Sequence, residues 1–259
     1  MLYSNLVLAA TAVCWSLSVN RLLGLALDLP VLGLVFCLTL LTYNRDRLAD
    51  YTGRDDQMNM KQRTQWVARH HRTLAALTTG TAIGAVILLA LRPATLPPIL
   101  AGLGFALVYS GRILPGGRAP KQLPGLKVPY VAALWALLSV GIPLAAAGGP
   151  WNGRTALVAL AFFCFAAALV NLNDIRDIKG DRVVGTITIP VLWGEHSARL
   201  ISVGLAGLAG TAALGLQSAG LLFIALYVAV LALTYHEDAD GLFRWLIEGI
   251  GLLTWPAAI

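Results

Sequence analysis

Charged side chains are scarce in this sequence. Only 12% of the 259 residues are Asp, Glu, Lys or Arg, whereas 58% are hydrophobic. A typical soluble domain has about 25% charged residues, so this composition argues against an ordinary soluble protein. The mean hydropathy of +0.73 agrees with that exclusion. The chain is therefore expected to be a polytopic membrane protein that contacts lipid directly.

Cysteine is also scarce, and Cys14, Cys37 and Cys164 lie far apart within apolar runs. Their spacing fits neither a disulfide framework nor a thiolate metal site, so we interpret them as packing residues. The net charge of +6 would suit a nucleic-acid partner, but the basic residues lie between hydrophobic segments. Membrane topology explains that distribution better, and no nucleic-acid partner is expected.

Apolar segments of membrane-spanning length occur along the whole chain. A span needs about 20 mostly apolar residues, with a range of about 17–25. The last segment contains Arg244 and Glu248, so it is expected to begin deeper or to lie partly at the interface. We predict a single domain, residues 1–259, folded as an all-α bundle of about nine transmembrane helices around a central cavity. The predicted spans are 3–22, 27–45, 73–92, 94–111, 128–148, 153–172, 198–216, 219–235 and 241–257.

The distribution of basic residues predicts the orientation of these spans. Sixteen of the 19 Lys and Arg residues fall in or beside the loops that follow spans 2, 4, 6 and 8. The opposite side has Arg21, Arg92 and Arg154. The positive-inside rule places the side with more Lys and Arg in the cytoplasm. We therefore expect a multi-pass protein of the cell inner membrane, with a polar cap and its functional loops on the cytoplasmic side.

Two acidic clusters follow apolar segments on that same side. In the first cluster, Asp46 and Asp50 are four residues apart and share one face of a helix. The second cluster has similar spacing, and its members are Asn173, Asp174, Asp177 and Asp181. Carboxylates are costly near a bilayer, and oxygen ligands suit hard cations such as Mg²⁺. Two facing stripes could hold two metal ions with a diphosphate between them.

Each cluster also has a simpler interpretation. Asp46 and Asp50 could be solvated residues at a helix end, paired with Arg45 and Arg47. The second cluster follows the apolar run 167–170 without a break and has Asn171 beside it at the membrane edge. That position favours a functional role for the second cluster.

Three stretches of the sequence resemble the UbiA superfamily of intramembrane aromatic prenyltransferases. NDIRDIKGDRVVGTITIPVLWG, residues 173–194, resembles the second aspartate-rich motif of that family. TYNRDRLAD, residues 42–50, resembles the first motif, and KQLPGLK, residues 121–127, resembles the loop between the fourth and fifth helices. Nine helices with acidic motifs after the second and sixth also match the family. The resemblance covers nearly the whole chain.

The resemblance implies the roles of the acidic residues. It makes Asp46, Asp50, Asp177 and Asp181 the catalytic aspartates that hold Mg²⁺ against an allylic diphosphate. With them it implies Asn173 as a metal ligand, and Asp174 matches an acidic position in some members. One departure stands out, because the leading Asn of the first motif falls on Thr42 unless Asn44 replaces it from a shifted position.

The same resemblance implies residues that contact the substrate. Lys121 and Lys127 are the expected diphosphate partners, because lysine acts as a compact cation toward phosphate oxygens. Arg63 and Tyr109 are further candidates for the diphosphate. Trp135 is a candidate for the prenyl pocket, although packing alone would also explain it.

The expected partners are an isoprenyl diphosphate, membrane lipid and a lipophilic or aromatic acceptor that the sequence does not identify. The expected activity is Mg²⁺-dependent transfer of a prenyl group, with a related membrane terpene cyclase as the alternative. A non-enzymatic carrier of divalent cations is a remote third possibility.

Overall fold

A computed structural model of the chain describes residues 2–53, 60–111, 113–115, 117, 119–120, 123–235 and 240–257. Most of these residues belong to helices, which confirms the predicted all-α class. The helices are α1 (Leu6–Leu23), α2 (Leu29–Asp50), α3 (Lys61–Leu91), α4 (Leu96–Ser110), α5 (Lys127–Ala146), α6 (Gly153–Val184), α7 (Ile189–Gly215), α8 (Ala219–Thr234), α9 (Asp240–Glu248) and α10 (Ile250–Ala257).

Local sequence signals explain where several helices begin. The side chain of Asp28 accepts a hydrogen bond from the backbone N–H of Val31 and caps α2. Asn152 caps α6 by the same kind of bond to Thr155, and Ser218 caps α8. Such caps satisfy backbone donors that the first turn of a helix leaves without partners.

Proline and glycine account for two irregular helices. In α5, the turn Leu137–Gly141 is π-helical. Pro143 follows it, and because proline has no backbone N–H, it cannot continue the regular hydrogen-bond ladder. In α7, Gly194 has φ of 81°, a conformation that favours glycine, and it kinks the helix.

The surface of the bundle suits a lipid environment. Five of the described helices are long and apolar enough to cross a membrane, and two shorter apolar helices, Pro93–Tyr109 and Ala219–Thr234, accompany them. Large apolar side chains lie on the outside, with Leu107 75% and Leu214 63% exposed. The predicted membrane bundle is therefore confirmed.

The ninth predicted span is divided into two short helices. α9 ends at Glu248 and α10 begins at Ile250, so Gly249 lies at the break. A Cβ added to Gly249 would lie 2.6 Å from the carbonyl oxygen of Trp245, which explains why glycine occupies this turn. The predicted count of nine spans is therefore approximate.

The centre of the bundle is α6, which packs against α5, α7 and α8. Its Phe162 and Phe165 are fully buried, and Phe162 meets Trp15 of α1 edge to face at 5.3 Å between ring centroids. α6 has 32 residues, which corresponds to about 48 Å, whereas a bilayer core is about 30 Å thick. Its C-terminal turns can therefore extend beyond the hydrocarbon region.

Candidate active site

One cavity of about 650 Å³ collects both acidic clusters. α2 contributes Asp46 and Asp50 to its wall. α6 contributes Asn173, Asp174, Asp177 and Asp181 to the same wall. We call these two sets the α2 stripe and the α6 stripe. The ends of α2 and α6 thus bring to one cavity all the aspartates that the sequence predicted as metal ligands.

Basic side chains neutralise part of the α6 stripe. Arg176 donates from Nε to Asp177 Oδ1 at 3.0 Å and from Nη2 to Asp177 Oδ2 at 3.2 Å. It also donates from Nη1 to Asn173 Oδ1 at 3.4 Å. At the next turn, the Thr188 hydroxyl donates to Asp181 Oδ2 at 3.2 Å. These bonds orient the side chains of the stripe toward fixed partners.

Asp174 is held separately by Lys127. The Lys127 Nζ atom lies 2.7 Å from Asp174 Oδ1, and the Asp174 side chain is only 2% exposed. Within the described part of the chain, its other oxygen, Oδ2, has no hydrogen-bond partner. The pair brings the start of α5 against α6 and places the ammonium group at the cavity wall.

The α2 stripe is more exposed than the α6 stripe. Asp46 and Asp50 are both exposed, and Tyr43 and Arg47 lie on the same wall of the cavity. Neither candidate for the leading position of the first motif lines this cavity. Asn44 is fully buried, and its Oδ1 accepts a hydrogen bond from Asn5 Nδ2 at 2.7 Å. Thr42 instead lines a neighbouring pocket.

The structure locates three of the four predicted diphosphate-binding residues. Lys127, Arg63 and Tyr109 all line the 650 Å³ cavity. Arg63 is 4% exposed, so its guanidinium group is largely removed from solvent. The Tyr109 ring stacks on that of Tyr130 at 3.6 Å between centroids. Lys121 lies outside the described residues, and its role stays a prediction.

A second, more apolar pocket of about 420 Å³ adjoins the first between α2, α4 and α5. Both pockets share Tyr43, Asp46, Tyr109, Val131 and Trp135 in their walls. Trp135 Nε1 donates a hydrogen bond to the Tyr43 hydroxyl at 2.8 Å. This bond lies at the boundary between the polar cavity and the apolar pocket.

Sequence reasoning missed several residues at the site. Arg176 lies inside the second acidic cluster, and its spacing of three residues from Asn173 was the available signal. Arg47 was considered only as a salt-bridge partner of the first cluster. Glu248 is another member of the cavity wall that was not predicted. From the sequence, Glu248 was interpreted only as an irregularity in the ninth predicted span. Because a carboxylate inside a membrane span is energetically costly, its position could have indicated a functional residue.

The donor set of the cavity fits a magnesium ion that is shared with a substrate. The two stripes offer carboxylate and amide oxygens, the ligands that Mg²⁺ prefers. In the described residues, no group of three His, Cys, Asp or Glu side chains is close enough to hold a metal ion. Mg²⁺ is usually bound by one or two carboxylates together with substrate phosphates, so such a protein-only cage is not required.

The sequence of the chain is similar to that of known proteins. The profile of the UbiA prenyltransferase family matches residues 54–239. The chain is 31% identical over 215 residues to the bacteriochlorophyll synthase 34 kDa chain of Chloroflexus aurantiacus, a match that covers 81% of this chain and 64% of that one. It thus spans slightly less than two thirds of that relative's length.

A shorter match is to the diterpene cyclase eriG of Hericium erinaceus, with 31% identity over 74 residues, 29% of this chain and 23% of that one. Polyprenyl transferase eriF of the same organism is 34% identical over 79 residues, which cover 30% of this chain and 26% of that one.

Solved structures share the fold. A UbiA homologue from Aeropyrum pernix K1, solved in its apo form, superimposes with a TM-score of 0.68 at 16% identity and covers 96% of both chains. A UbiA homologue from Archaeoglobus fulgidus bound to DMAPP and Mg²⁺ gives a TM-score of 0.59 at 16% identity, with 99% of both chains covered. At this identity the likeness concerns the arrangement of the helices.

Proposed function

The chain belongs to the UbiA prenyltransferase family, and on this basis we propose that it is a Mg²⁺-dependent membrane prenyltransferase. It would ionise an allylic isoprenyl diphosphate and transfer the prenyl group to a lipophilic or aromatic acceptor. The observation that carries this proposal is the convergence of both aspartate stripes on one cavity beside an apolar pocket. A homologue of the same fold binds DMAPP and Mg²⁺, which supports the choice of substrate and ion.

Ionisation of an allylic diphosphate requires positive charge at the departing oxygens. The residues that would hold Mg²⁺ are Asp46, Asp50, Asn173, Asp177 and Asp181, with Asp174 engaged by Lys127. Bound there, the ion would supply charge that stabilises the leaving group. The side chains of the two stripes would also fix the position of the diphosphate.

Basic side chains at the cavity would bind the diphosphate directly. Lys127 and Arg63 line the wall with charges of the required sign. Preorganised cations stabilise developing negative charge more strongly in a site that excludes water. Tyr109 lies on the same wall, where its hydroxyl would donate a hydrogen bond to a phosphate oxygen.

The prenyl chain would occupy the 420 Å³ pocket between α2, α4 and α5. Trp135 and Tyr43 lie at the boundary between that pocket and the polar cavity. With the allylic carbon in the polar cavity, the rest of the prenyl chain would extend past these two side chains into the apolar pocket. Leu103 and Leu134 are among its apolar walls. An apolar enclosure also protects an allylic cation from water.

The side of the membrane on which the site opens follows from the charge distribution. The loops next to both stripes carry most of the Lys and Arg residues. By the positive-inside rule the site would open to the cytoplasm. We propose the inner membrane of the cell as its location. The donor would reach the site from the cytoplasmic side or from lipid.

Two other functions, a membrane terpene cyclase and a carrier of divalent cations, are less well supported than prenyl transfer. A membrane terpene cyclase would use the same ionisation and then close the chain on itself, and the short match to a diterpene cyclase keeps this alternative open. A carrier of divalent cations would need sites along a path across the membrane. Both stripes instead meet in a single cavity, which disfavours a carrier.

The decisive experiment measures diphosphate release by the purified chain in detergent. Dimethylallyl, geranyl and geranylgeranyl diphosphate are supplied with Mg²⁺ or with EDTA. We expect release with Mg²⁺, little with EDTA, and none from the double variant Asp177→Ala/Asp181→Ala. The control is Asp28→Asn, which alters an aspartate paired with Arg92 away from the cavity while Asn preserves the helix cap. Equal release by the double variant would refute both enzymatic functions.

The same assay without an acceptor separates the two enzymes. A cyclic hydrocarbon or terpene alcohol as the main product would identify a cyclase. Little product without an acceptor, and a prenylated compound when membrane lipids are added, would identify a transferase. Mass spectrometry of the lipid extract would then give the acceptor and the prenyl length.

A further inference from the structure

A short basic segment of α3 lies where the polar part of that helix meets its apolar part. Its four residues, 69–72, are Arg, His, His and Arg, and the apolar run 73–91 follows them directly. At about 1.5 Å per residue this run is about 28 Å long, close to the thickness of about 30 Å of a bilayer core. When the run crosses the hydrocarbon, the α3 basic segment lies at the level of the lipid headgroups.

Aromatic rings beside the segment support this depth. The His70 ring stacks on the Trp66 ring at 4.6 Å between centroids, and His70 Nδ1 lies 2.9 Å from the Trp66 carbonyl oxygen. The His71 ring lies 5.6 Å from that of Tyr51, at the end of α2. Trp and Tyr are enriched where a membrane meets water, so both ring pairs suit the headgroup level.

Arg69 and Arg72 bring two positive charges together at this level. Both side chains are exposed, and among the residues that the structure describes neither forms an ion pair. They lie on either side of a kink at His70, but three residues span at most about 11 Å. Two long side chains so close can reach one anion, and arginine binds phosphate with two parallel hydrogen bonds.

The chain near the segment offers no carboxylate to balance these charges. The stretch 57–173 contains neither Asp nor Glu, although it contains ten Lys and Arg residues: Lys61, Arg63, Arg69, Arg72, Arg92, Arg112, Arg118, Lys121, Lys127 and Arg154. Unbalanced cations repel each other at close range. The two arginines are therefore complementary to an anion that comes from outside the chain.

The surface below Arg72 favours a lipid over a soluble anion. Ala76, Gly80 and Ile83 are exposed and follow Arg72 at intervals of three or four residues, so they continue one face of α3 into the hydrocarbon. A Cβ added to Gly80 would have no neighbour within 4 Å, so this face is shallow and open. An acyl chain can lie along it while the phosphate above it contacts the arginines.

We propose that the α3 basic segment binds the phosphate of an anionic phospholipid, whose acyl chain lies along the face that begins at Ala76. Of the described residues that line the 650 Å³ cavity and the 420 Å³ pocket, none belongs to the segment. The surface is thus separate from the proposed active site, and binding there requires neither Mg²⁺ nor a diphosphate.

The test measures lipid binding by the purified chain in a neutral detergent. Phosphatidylglycerol or phosphatidylcholine with the same acyl chains is added, and native mass spectrometry gives the apparent Kd of the first bound lipid. We expect phosphatidylglycerol to bind about 25-fold more tightly, which is about fivefold for each arginine at a membrane surface. Basic residues that serve membrane topology alone would give equal affinities, and that result would overturn the proposal.

Substitutions then test the two arginines. In Arg69→Gln/Arg72→Gln the Kd for phosphatidylglycerol should rise about 25-fold, whereas the Kd for phosphatidylcholine should not change. The matched control is Arg21→Gln/Arg154→Gln, which removes two arginines from the opposite end of the bundle, where Arg154 Nε donates to the Leu22 carbonyl oxygen. Its affinity for phosphatidylglycerol should be unaltered. An equal loss in both double variants would indicate general charge attraction and refute a site at α3.

Two further measurements cover misfolding and the source of the phosphate. If the double variant does not fold, Arg69→Gln and Arg72→Gln are measured singly, and each should weaken binding about fivefold; unchanged affinity in both would contradict the proposal. Inorganic phosphate in large molar excess should not displace phosphatidylglycerol, and displacement would assign the site to soluble anions instead. Because diphosphate release is not a readout, failure of the prenyltransferase function would leave these results unaffected.

Discussion

The α2 stripe and the α6 stripe have similar spacing and line the same cavity, yet their surroundings differ. On α6, Asp181 is 6% exposed and accepts a hydrogen bond from the Thr188 hydroxyl. Asp177 accepts hydrogen bonds from the Arg176 guanidinium. On α2, Asp46 and Asp50 are exposed at the cavity wall. The α6 carboxylates are less exposed and are held by Thr188 and Arg176 before a substrate arrives, whereas the α2 carboxylates are exposed. In the proposed metal site, α6 would therefore define the geometry and α2 would complete it around the diphosphate.

The largest effect is expected on the α6 side. Asp181→Asn removes a buried charge from the cavity wall, and we expect Mg²⁺-dependent diphosphate release to fall about 1000-fold. The measurement is the initial rate at saturating geranyl diphosphate, with Asp28→Asn as the control. If higher Mg²⁺ restores the rate of Asp181→Asn, the α6 stripe is no more preorganised than the α2 stripe.

A smaller effect is expected from Asp46→Asn, because solvent and the remaining ligands can partly replace an exposed carboxylate. Release should fall about 30-fold, and a tenfold increase in Mg²⁺ should recover part of the loss. Titration of the rate with Mg²⁺ gives the apparent affinity. A loss as large as that of Asp181→Asn, with no response to Mg²⁺, would erase the distinction between the stripes.

The third prediction concerns the stability of the α6 side. Lys127→Met leaves the buried Asp174 carboxylate without its ion-pair partner, which should lower the free energy of unfolding by about 2 kcal/mol. The additional change Asp174→Asn should restore at least half of that loss, because it removes the stranded charge. Thermal unfolding in detergent, followed by circular dichroism, measures both.

The control for this pair is Lys61→Met, which changes an exposed lysine at the start of α3. Its unfolding should match that of the unaltered chain. If Lys127→Met is equally stable, the Lys127–Asp174 contact contributes nothing to the fold.

The helices and the meeting of the two stripes could be predicted from sequence, because both follow from local periodicity. Apolar runs give the spans, and a spacing of four residues puts Asp46 and Asp50 on one face of α2. Counting spans then brings the ends of α2 and α6 to one side of the membrane. The roles of individual aspartates in metal binding stay predictions.

Contacts between distant residues could not be predicted in this way. The Trp135–Tyr43 bond joins positions 92 residues apart, and the Lys127–Asp174 pair depends on how α5 lies against α6. Glu248 looked like an irregularity of an apolar span, because its burial depends on the break at Gly249 and on packing against α1. Sequence patterns identify faces of helices, whereas these features depend on which faces meet.

The smallest effect is expected at Thr42, where the first motif departs from its family. A simple repair, Thr42→Asn, would restore the motif in sequence, but Thr42 lines the 420 Å³ pocket between α2, α4 and α5 and is absent from the wall of the 650 Å³ cavity. The new amide would therefore not reach the ions that the α2 stripe is proposed to hold. We expect the Mg²⁺ dependence of diphosphate release to change less than about threefold, within the range of ordinary surface substitutions.

Asn44→Ala is the matched comparison, because Asn44 is buried against Asn5 and its loss should reduce thermal stability without altering the Mg²⁺ titration. A marked gain in Mg²⁺ affinity in Thr42→Asn would show that the start of the α2 stripe turns toward the polar cavity when substrate binds, and the exposed stripe would then have to be regarded as mobile along its whole length.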